Sequence, residues 1–380
     1  MRRVFLLAAL TGLVAPVLEA QSSQFGVRGL GIPLRPYSPR SLAAGGAIAL
    51  FDPESSTNPA ALASITQFTS MFSTTQNFRT STNPFGTESG RDNRFPQILA
   101  AGPVGGTPFG VSVSLSGYTD RSYTLGTVTR VELRGQPVDV YDTLSSRGGL
   151  SDIRIGTGWQ VTNWFQVGLG LHAITGLNRV ENRQAYSDSS YTPAGERTDL
   201  SYLGAGASVG ATLRVHPSIA FAGVYRNDGH LRVDRDSTPM SRIDLPVSWA
   251  VSGRWQPTMR FTWAATYQQK QWSASRADIL AQGGIGAENT YEMSTGIEWL
   301  RDTRNPQHRA IRLGGHYATL PFPLLTGRQA HEYGISLGTG VRFTQARGGL
   351  DLAVQQLWRS DGGSYTERAT VVTLGVSIRP

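Results

Sequence analysis

Few side chains in this sequence could move a proton, ligate a metal or attack a carbonyl, and their spacing argues against catalysis. The six histidines are His172, His216, His230, His308, His316 and His331, and none stands at a metal-ligand spacing from another. By the strand pattern set out below, His316 and His331 fall on neighbouring strands, where structural hydrogen bonding is the expected role of each. Two segments, Gly206-Ala207-Ser208-Val209-Gly210 and Gly334-Ile335-Ser336-Leu337-Gly338, spell G-x-S-x-G. That motif makes a nucleophile where a strand turns sharply into a helix. Neither copy precedes a helical pattern and both lie in alternating Gly/Ser strand faces, so neither is expected to be catalytic. Asp234 and Asp236 read as loop carboxylates for solubility or cation contact. With Cys at 0, disulfides, thiolate metal sites, cysteine nucleophiles and a lipidated N-terminal cysteine are excluded. No enzyme, metal site or cofactor is expected.

The elements that must carry these residues follow from composition and period. The 380 residues are 39% hydrophobic and 16% charged, with a mean hydropathy of -0.22. After residue 20 no run approaches the roughly 20 apolar residues that a spanning helix needs, which excludes helical channels and transporters. Aromatics at 9% and ample Val, Leu, Ile and Ala exclude a disordered chain. The net charge of +8 is carried by arginine, Lys270 being the only lysine. Such a balance suits nucleic acid or an anionic membrane surface. The arginines (Arg121, Arg130, Arg134, Arg147, Arg154) are scattered singly without interleaved aromatics, so no nucleic-acid partner is expected.

Residues 1–20 read as a cleaved export signal. Arg2 and Arg3 form the charged start, Val4 to Val17 the apolar stretch, and Leu18-Glu19-Ala20 the cleavage site before Gln21. From about residue 67 the chain alternates with period 2, the mark of strands whose two faces meet different surroundings. Phe109, Val111, Val113 and Leu115 make one face, and Gly110, Ser112, Ser114 and Ser116 the other. Phe165 to Ala173, Leu203 to Leu213 and Tyr333 to Phe343 repeat the pattern. Glycine and serine are too small for an interdigitated sandwich core, and are expected to face a large lumen.

Strands fall near 67–78, 94–103, 108–123, 151–161, 164–176, 199–214, 219–230, 244–256, 260–271, 289–300, 308–319, 330–343, 348–359 and 368–379. Their connections alternate short, as at Val104 to Thr107, His216-Pro217-Ser218 and Arg301 to Gln307, with long, as at Thr124 to Leu150 and Leu177 to Thr198. Bacterial outer-membrane barrels sort their loops this way and use an even number of strands. Trp159, Trp164, Trp249, Trp255, Trp263, Trp299 and Trp358 sit on or at the ends of these strands, as aromatic girdles do. The expected fold is all-β, an about fourteen-stranded antiparallel transmembrane β-barrel over residues 67–380. It is expected in the bacterial outer membrane, against lipid and lipopolysaccharide. Val372, Leu374, Val376 and Ile378 form one apolar face up to Pro380. That strand resembles the C-terminal signal read by the barrel-assembly machinery, an expected partner during biogenesis, with proline where an aromatic is usual.

Residues 21–66 do not alternate and are expected to form a hatch inside the lumen. Ser38-Pro39-Arg40-Ser41-Leu42-Ala43-Ala44-Gly45-Gly46-Ala47-Ile48-Ala49, then Asp52, then Asn58-Pro59-Ala60-Ala61-Leu62-Ala63 resemble the N-terminal hatch of the long-chain fatty-acid outer-membrane transporter (FadL/TodX-like) family. Leu245-Pro246-Val247-Ser248, Trp255-Gln256-Pro257 and Gln271-Trp272-Ser273 resemble its paired central strands. Ile311 to Tyr317, with Leu350 to Val354, resembles its closing strands. In the hatch Gly45, Gly46, Asp52, Asn58, Pro59 and Ala60 carry the motif. Asn58 can cap or bridge backbone, Pro59 fixes φ, and Gly45-Gly46 lets backbone pass close to the wall.

The resemblance implies passive uptake of hydrophobic small molecules, such as long-chain fatty acids, through the plugged barrel, with lateral exit or release to the periplasm. Phe25, Leu30, Ile32 and Leu34 are candidate pocket residues. Arg154, His172, Arg254, Arg312, Glu332 and Arg342 lie on the face opposite the apolar one, hence in the lumen, where an arginine could meet a carboxylate or pair with another wall charge. Leu177 to Thr198 and Leu231 to Ile243 are short and polar beside the external loops of the family. The Ser38 to Ala47 stretch is also close to PorV-like members of the wider superfamily, which implies an alternative role as a docking or shuttle barrel for protein secretion. A structural outer-membrane barrel is a further alternative.

Overall fold

The computed structural model describes residues 23–301, 309–324, 326–343 and 347–379, so the export signal, the turn at Arg301 to Gln307 for the most part, and Pro380 lie outside the described residues. Among the described residues the period-2 segments become fourteen wall strands. They are β1 (Thr69–Asn83), β2 (Gly86–Arg94 and Gln97–Pro103), β3 (Phe109–Asp120 and Tyr123–Leu133), β4 (Gln136–Gln160), β5 (Phe165–Tyr186), β6 (Ala194–His216) and β7 (Ile219–Asn227 and His230–Arg235). The circuit continues through β8 (Thr238–Asp244 and Val247–Thr258), β9 (Phe261–Lys270), β10 (Thr290–Leu300), β11 (Arg309–Thr319), β12 (His331–Phe343), β13 (Gly348–Ser360) and β14 (Thr366–Ile378). Each is antiparallel to its neighbours, and β14 ladders onto β1 from Thr366↔Thr82 to Ile378↔Ser70, which closes the barrel.

The apolar face of each strand turns outward. Val111, Val113, Leu169, Leu171, Leu313 and Leu337 are exposed, while Ser112, Ser114, Asp152 and Ser208 on the other face are buried. Aromatic pairs mark two levels of the outer surface. Phe109 stacks on Trp159 at 5.7 Å and Trp164 lies 5.8 Å from Phe165 at the short-turn end. At the other end Tyr317 meets Tyr291 at 5.7 Å and Tyr333 at 4.9 Å, and Trp249 meets Tyr267 at 5.4 Å. An apolar band between two aromatic levels is the outer surface of a membrane-spanning barrel.

The expected long loops at Thr124 to Leu150 and Leu177 to Thr198 are largely strand. β4, β5 and β6 are 25, 22 and 23 residues long, where crossing a bilayer takes roughly 9–11. Their far halves therefore stand clear of the membrane as a projecting sheet. Outside lipid both faces of a strand meet water, the outward residues need not be apolar, and the alternation that reveals a strand fades. The β3–β4 tip is Arg134-Gly135, with φ of 54° and 77°. Positive φ at both positions is the two-residue type I′ hairpin.

Between β2 and β3 the wall pairing lapses. Gln97–Pro103 ladders with Ser116 to Gly110, but above that Gly86–Arg94 pairs only with β1 and Tyr123–Leu133 only with β4. A strand from the N-terminal segment fills the base of this seam, with Ile32↔Asp120, Pro33↔Thr119, and Leu34 N donating to Tyr118 O at 2.9 Å. Arg94 and Asp120 pair across the seam.

Candidate functional site

Residues 23–66, the expected hatch, lie within the ring of strands and are built from short turns. Pro39–Ala43 is a five-residue helix, α1, with Pro39 in its first turn and the Ser38 side chain accepting from Ser41 N at its N-cap. Asp52 ties this turn to the chain beyond it, accepting from the Ser38 hydroxyl, from Ser41 Oγ at 2.8 Å and from Ser55 Oγ at 3.2 Å. The three hydroxyls satisfy this buried carboxylate in place of water. Burial and the neighbouring Asp52 charge push the Glu54 carboxyl above the usual carboxylate range, with Arg342 and Arg379 opposing. Asn58 Nδ2 donates to Leu50 O at 2.8 Å, and its Oδ1 accepts from Ala60 N at 3.0 Å, so it caps the 3₁₀ turn Pro59–Ser64 and fastens it to the preceding one.

The lumen face is small because the hatch backbone presses against it. A Cβ on Gly158 would lie 2.5 Å from Ala63 N, and one on Gly168 or Gly110 would overlap the backbone of Pro59 or Leu62. On the opposite wall Gly314 and Gly296 leave room for the backbone of Ala44. Gly45 and Gly46, at φ of 68° and 89°, turn the chain there, and a Cβ on Gly45 would come within 2.6 Å of Gly315 N. The glycine faces expected to border open space are in good part a seat for the hatch.

A second set of ties is ionic and lies on β10 to β14. Arg35 reaches Glu292 at 2.9 Å and Glu332 at 2.7 Å, Arg40 grips both oxygens of Glu298 at 2.9 and 2.7 Å, Ser23 Oγ donates to Glu367 at 2.9 Å, and Arg379 meets Glu54 at 2.6 Å. Behind them the wall pairs internally. Arg312 bridges Glu298 at 2.6 Å and Asp351 at 2.8 Å, Arg342 meets Asp351 at 2.6 Å, and Arg359 joins Glu332 at 2.5 Å and Glu367.

Above the hatch the lumen is closed by an apolar core in which Trp272, Ile279 and Phe322 from two loops meet Leu30 of the hatch and Ile174, Tyr202 and Leu231 of the wall. Between this cap and the hatch is a chamber of about 110 Å³. Ile32, Leu34, Tyr37, Leu50 and Leu320 line it together with Arg35, Asp152, Arg226, Asp228, Lys270 and Glu292. Its side wall at Gly117 and Tyr118 is the seam, and Tyr118 Oη donates to Asp228 at 2.9 Å. Lys270 makes no ion pair among the described residues.

Of the residues singled out in the sequence, Ile32 and Leu34 line the chamber. Phe25 packs instead with Ile32, Leu320, Leu324 and Ala330, and Leu30 belongs to the cap. Arg254, Arg312 and Arg342 border a lower vestibule of about 600 Å³ at the short-turn end, where Arg254 lies 4.7 Å over the Phe51 ring. Arg154 is buried in the wall with its Nε unpartnered. His172 Nδ1 meets Asp152 at 2.9 Å and its Nε2 meets Ser208 Oγ at 2.9 Å, so the first G-x-S-x-G serine does stand in a serine–histidine–aspartate line. Ser208 is 2% exposed within a continuous strand, and the chamber's lining includes Asp152 but neither His172 nor Ser208. The line is a buried bridge across β4, β5 and β6. His316 bonds Glu332 at 3.0 Å and His331 bonds Tyr317 at 3.0 Å, so these two histidines do not bond each other. Among the described residues no cluster of three His, Cys, Asp or Glu could hold a metal. The chamber residues the sequence did not point to, Arg35, Tyr118, Arg226 and Glu292, come from four separate segments; the one available signal was Lys270, the single lysine.

The closed circuit of fourteen strands around an N-terminal hatch matches known structures over nearly its full length. A crystal structure of a Pseudomonas aeruginosa FadL homologue superposes with a TM-score of 0.63 at 13% identity, covering 92% of this chain and 99% of that one. The chain has the FadL-type barrel fold. The Ralstonia pickettii toluene transporter TbuX (TM-score 0.56, 14% identity, 91% and 99% covered) and the Pseudomonas putida toluene transporter TodX (0.55, 14%, 93% and 99%) share this FadL-type architecture. A family model described as BamG matches residues 54–219, just under half of the chain. No curated protein matches the sequence.

Proposed function

We propose that this FadL-type barrel is an outer-membrane channel for passive uptake of small hydrophobic or amphiphilic molecules. The observation that carries this reading is the chamber whose side wall is a seam bridged by the hatch strand at Ile32 and Pro33 and by the Arg94–Asp120 pair. A molecule held there is one strand away from the outside of the wall, and withdrawal of that strand opens a lateral route that needs no aqueous pore. Transfer of an apolar solute from one apolar surface to another involves no large hydration penalty. A chamber of about 110 Å³ lined by both apolar and charged side chains suits a small amphiphilic molecule. A long-chain fatty acid would need the hatch to shift.

The structural neighbours with toluene transport in their descriptions favour compounds of that size. A disulfide tests the route directly, since the chain has no cysteine of its own. Because Leu34 N bonds Tyr118 O, Pro33 and Thr119 form a non-hydrogen-bonded pair, whose Cα atoms lie about 4.5 Å apart and suit a disulfide. Pro33→Cys with Thr119→Cys in reconstituted vesicles should cut toluene uptake at least tenfold when oxidised and recover on reduction. Uptake unchanged by the bond would remove the seam from the path.

A second reading rests on the BamG match, which spans the seam and β1 to β6. In it the barrel docks a protein partner in secretion or barrel assembly. Native mass spectrometry from mild detergent separates the two. A retained apolar molecule supports the channel, and a stoichiometric protein with an empty lumen supports docking.

A further inference from the structure

We infer that the upper edge of β3, Tyr123–Leu133, is a docking edge for an extended strand of another polypeptide, added by backbone pairing above the seam. This edge is open whether or not the chamber conducts. Tyr123–Leu133 pairs only with β4. The type I′ tip at Arg134-Gly135 makes Leu133 and Gln136 a hydrogen-bonded pair. Counting down from that pair, Leu133, Val131, Thr129, Thr127 and Leu125 point their N–H and C=O groups at β4. Those of Glu132, Arg130, Val128, Gly126 and Thr124 therefore point to the open side. Pro137 lies opposite Glu132, at a position whose missing N–H would not face β3, which agrees with this phase.

A free strand edge is a template for pairing, and natural edges are normally guarded by Pro, Lys, charge or a bulge. The facing edge, Gly86–Arg94, is guarded by Glu88, Arg91, Asp92 and Arg94. Tyr123–Leu133 reads YTLGTVTRVEL, with no Pro, no Lys, charges only at Arg130 and Glu132 near the tip, five β-branched residues and both faces largely exposed. The same β3 edge is already extended twice lower down, by β2 up to Gln97↔Ser116 and then by the hatch at Ile32↔Asp120. Eleven further residues continue it without a partner.

The chemistry of the edge sets the occupant. Donors and acceptors alternating at backbone spacing are matched by another extended backbone. Its side chains on the inner face would lie beside Leu125, Thr127, Thr129 and Val131, which suits apolar or β-branched residues at alternate positions. Arg130 on the outer face pairs with Asp139 of β4 and no run of like charge lies along the edge, so net charge does not select it. A second copy in the same membrane does not fit. Barrel strands tilt by about 35–45° from the normal, so two equivalent edges related by a rotation about that normal would cross at about 70–90° and could not ladder.

Hydrogen exchange on the full chain tests this, comparing native membranes with the purified protein reconstituted alone. In native membranes the amides of Thr124, Gly126, Val128, Arg130 and Glu132 should exchange at least tenfold more slowly than in the purified protein, while those of Leu125, Thr127, Thr129 and Val131 stay equal. Val128→Pro removes one open-edge N–H and leaves the β3–β4 ladder intact, and should abolish the added protection at the neighbouring open amides. Val128→Thr keeps the N–H and should retain it. Equal exchange in both settings overturns the inference. Protection that persists in the purified protein and rises with its concentration would assign the edge to a second copy, and overturns it equally.

Discussion

Glycine seats receive the hatch on both sides of the wall, whereas ion pairs hold it on one side only. On β3 to β6 the turn Pro59–Ser64 lies on glycines and is capped by Asn58, and no ion pair joins hatch to wall there among the described residues. On β10 to β14 the hatch reaches the wall through buried carboxylates, with Arg35 at Glu292 and Glu332 and Arg40 at Glu298. Close backbone packing is short-ranged and indifferent to salt, and it is lost as soon as a side chain intervenes. Buried ion pairs tolerate small shifts, but removing one partner leaves an uncompensated charge. The seam strand Ile32–Pro33 lies two residues before Arg35 in the chain, so the ion pairs are the wall ties nearest the seam.

Four changes would break or sharpen this contrast. The largest effect is expected from Glu332→Ala, which removes the partner of His316 and leaves Arg35 and Arg359 to Glu292 and Glu367 alone, and should cost about 3 kcal/mol in denaturant unfolding from lipid vesicles. Hydrogen exchange should then show residues 29–40 deprotected and 58–64 unchanged. Gly168→Val should do the reverse, because its side chain would overlap Pro59, at about 1–3 kcal/mol. If both variants released the whole hatch together, the two sides would be one cooperative unit. Asn58→Ala removes a cap and the link to Leu50 and should cost about 1–2 kcal/mol, again confined to 58–64. Arg130→Ala, on the projecting sheet, breaks an exposed pair with Asp139 and should change stability by less than about 1 kcal/mol, with the hatch unaffected.

Much of the barrel was legible because lipid imposes a strict rule on any strand crossing it. Phe109 to Ser116 alternates since one face meets hydrocarbon and the other the lumen, and each of the fourteen expected strands has its counterpart in the wall. The rule stops where the lipid stops. Tyr123–Leu133 and the upper parts of β4, β5 and β6 were read as loops because the outward face there meets water instead of lipid and carries no apolar period, although Val138 and Val140 on the inner face of β4 are buried. The glycines were visible as small residues, but not as a seat, since only the folded chain shows which backbone lies against them. The candidate site was the least legible part. Ile32 and Leu34 lie at the chamber, whereas Phe25 and Leu30 lie in neighbouring cores and the arginines in the wall or at the lower vestibule.

Sequence alone determined a membrane-crossing wall, the sorting of its turns, a non-alternating segment that cannot be wall, and the absence of cysteine chemistry. Each of these is a local property, set by the period of side chains against their solvent or by the residue types present. Tertiary structure alone decided which hatch cation meets which wall carboxylate, where pairing lapses to leave a seam, and which side chains enclose the chamber. Those depend on register between strands far apart in the chain. Arg35 and Glu332 are separated by 297 residues and meet at 2.7 Å because fourteen strands close into a ring around the hatch.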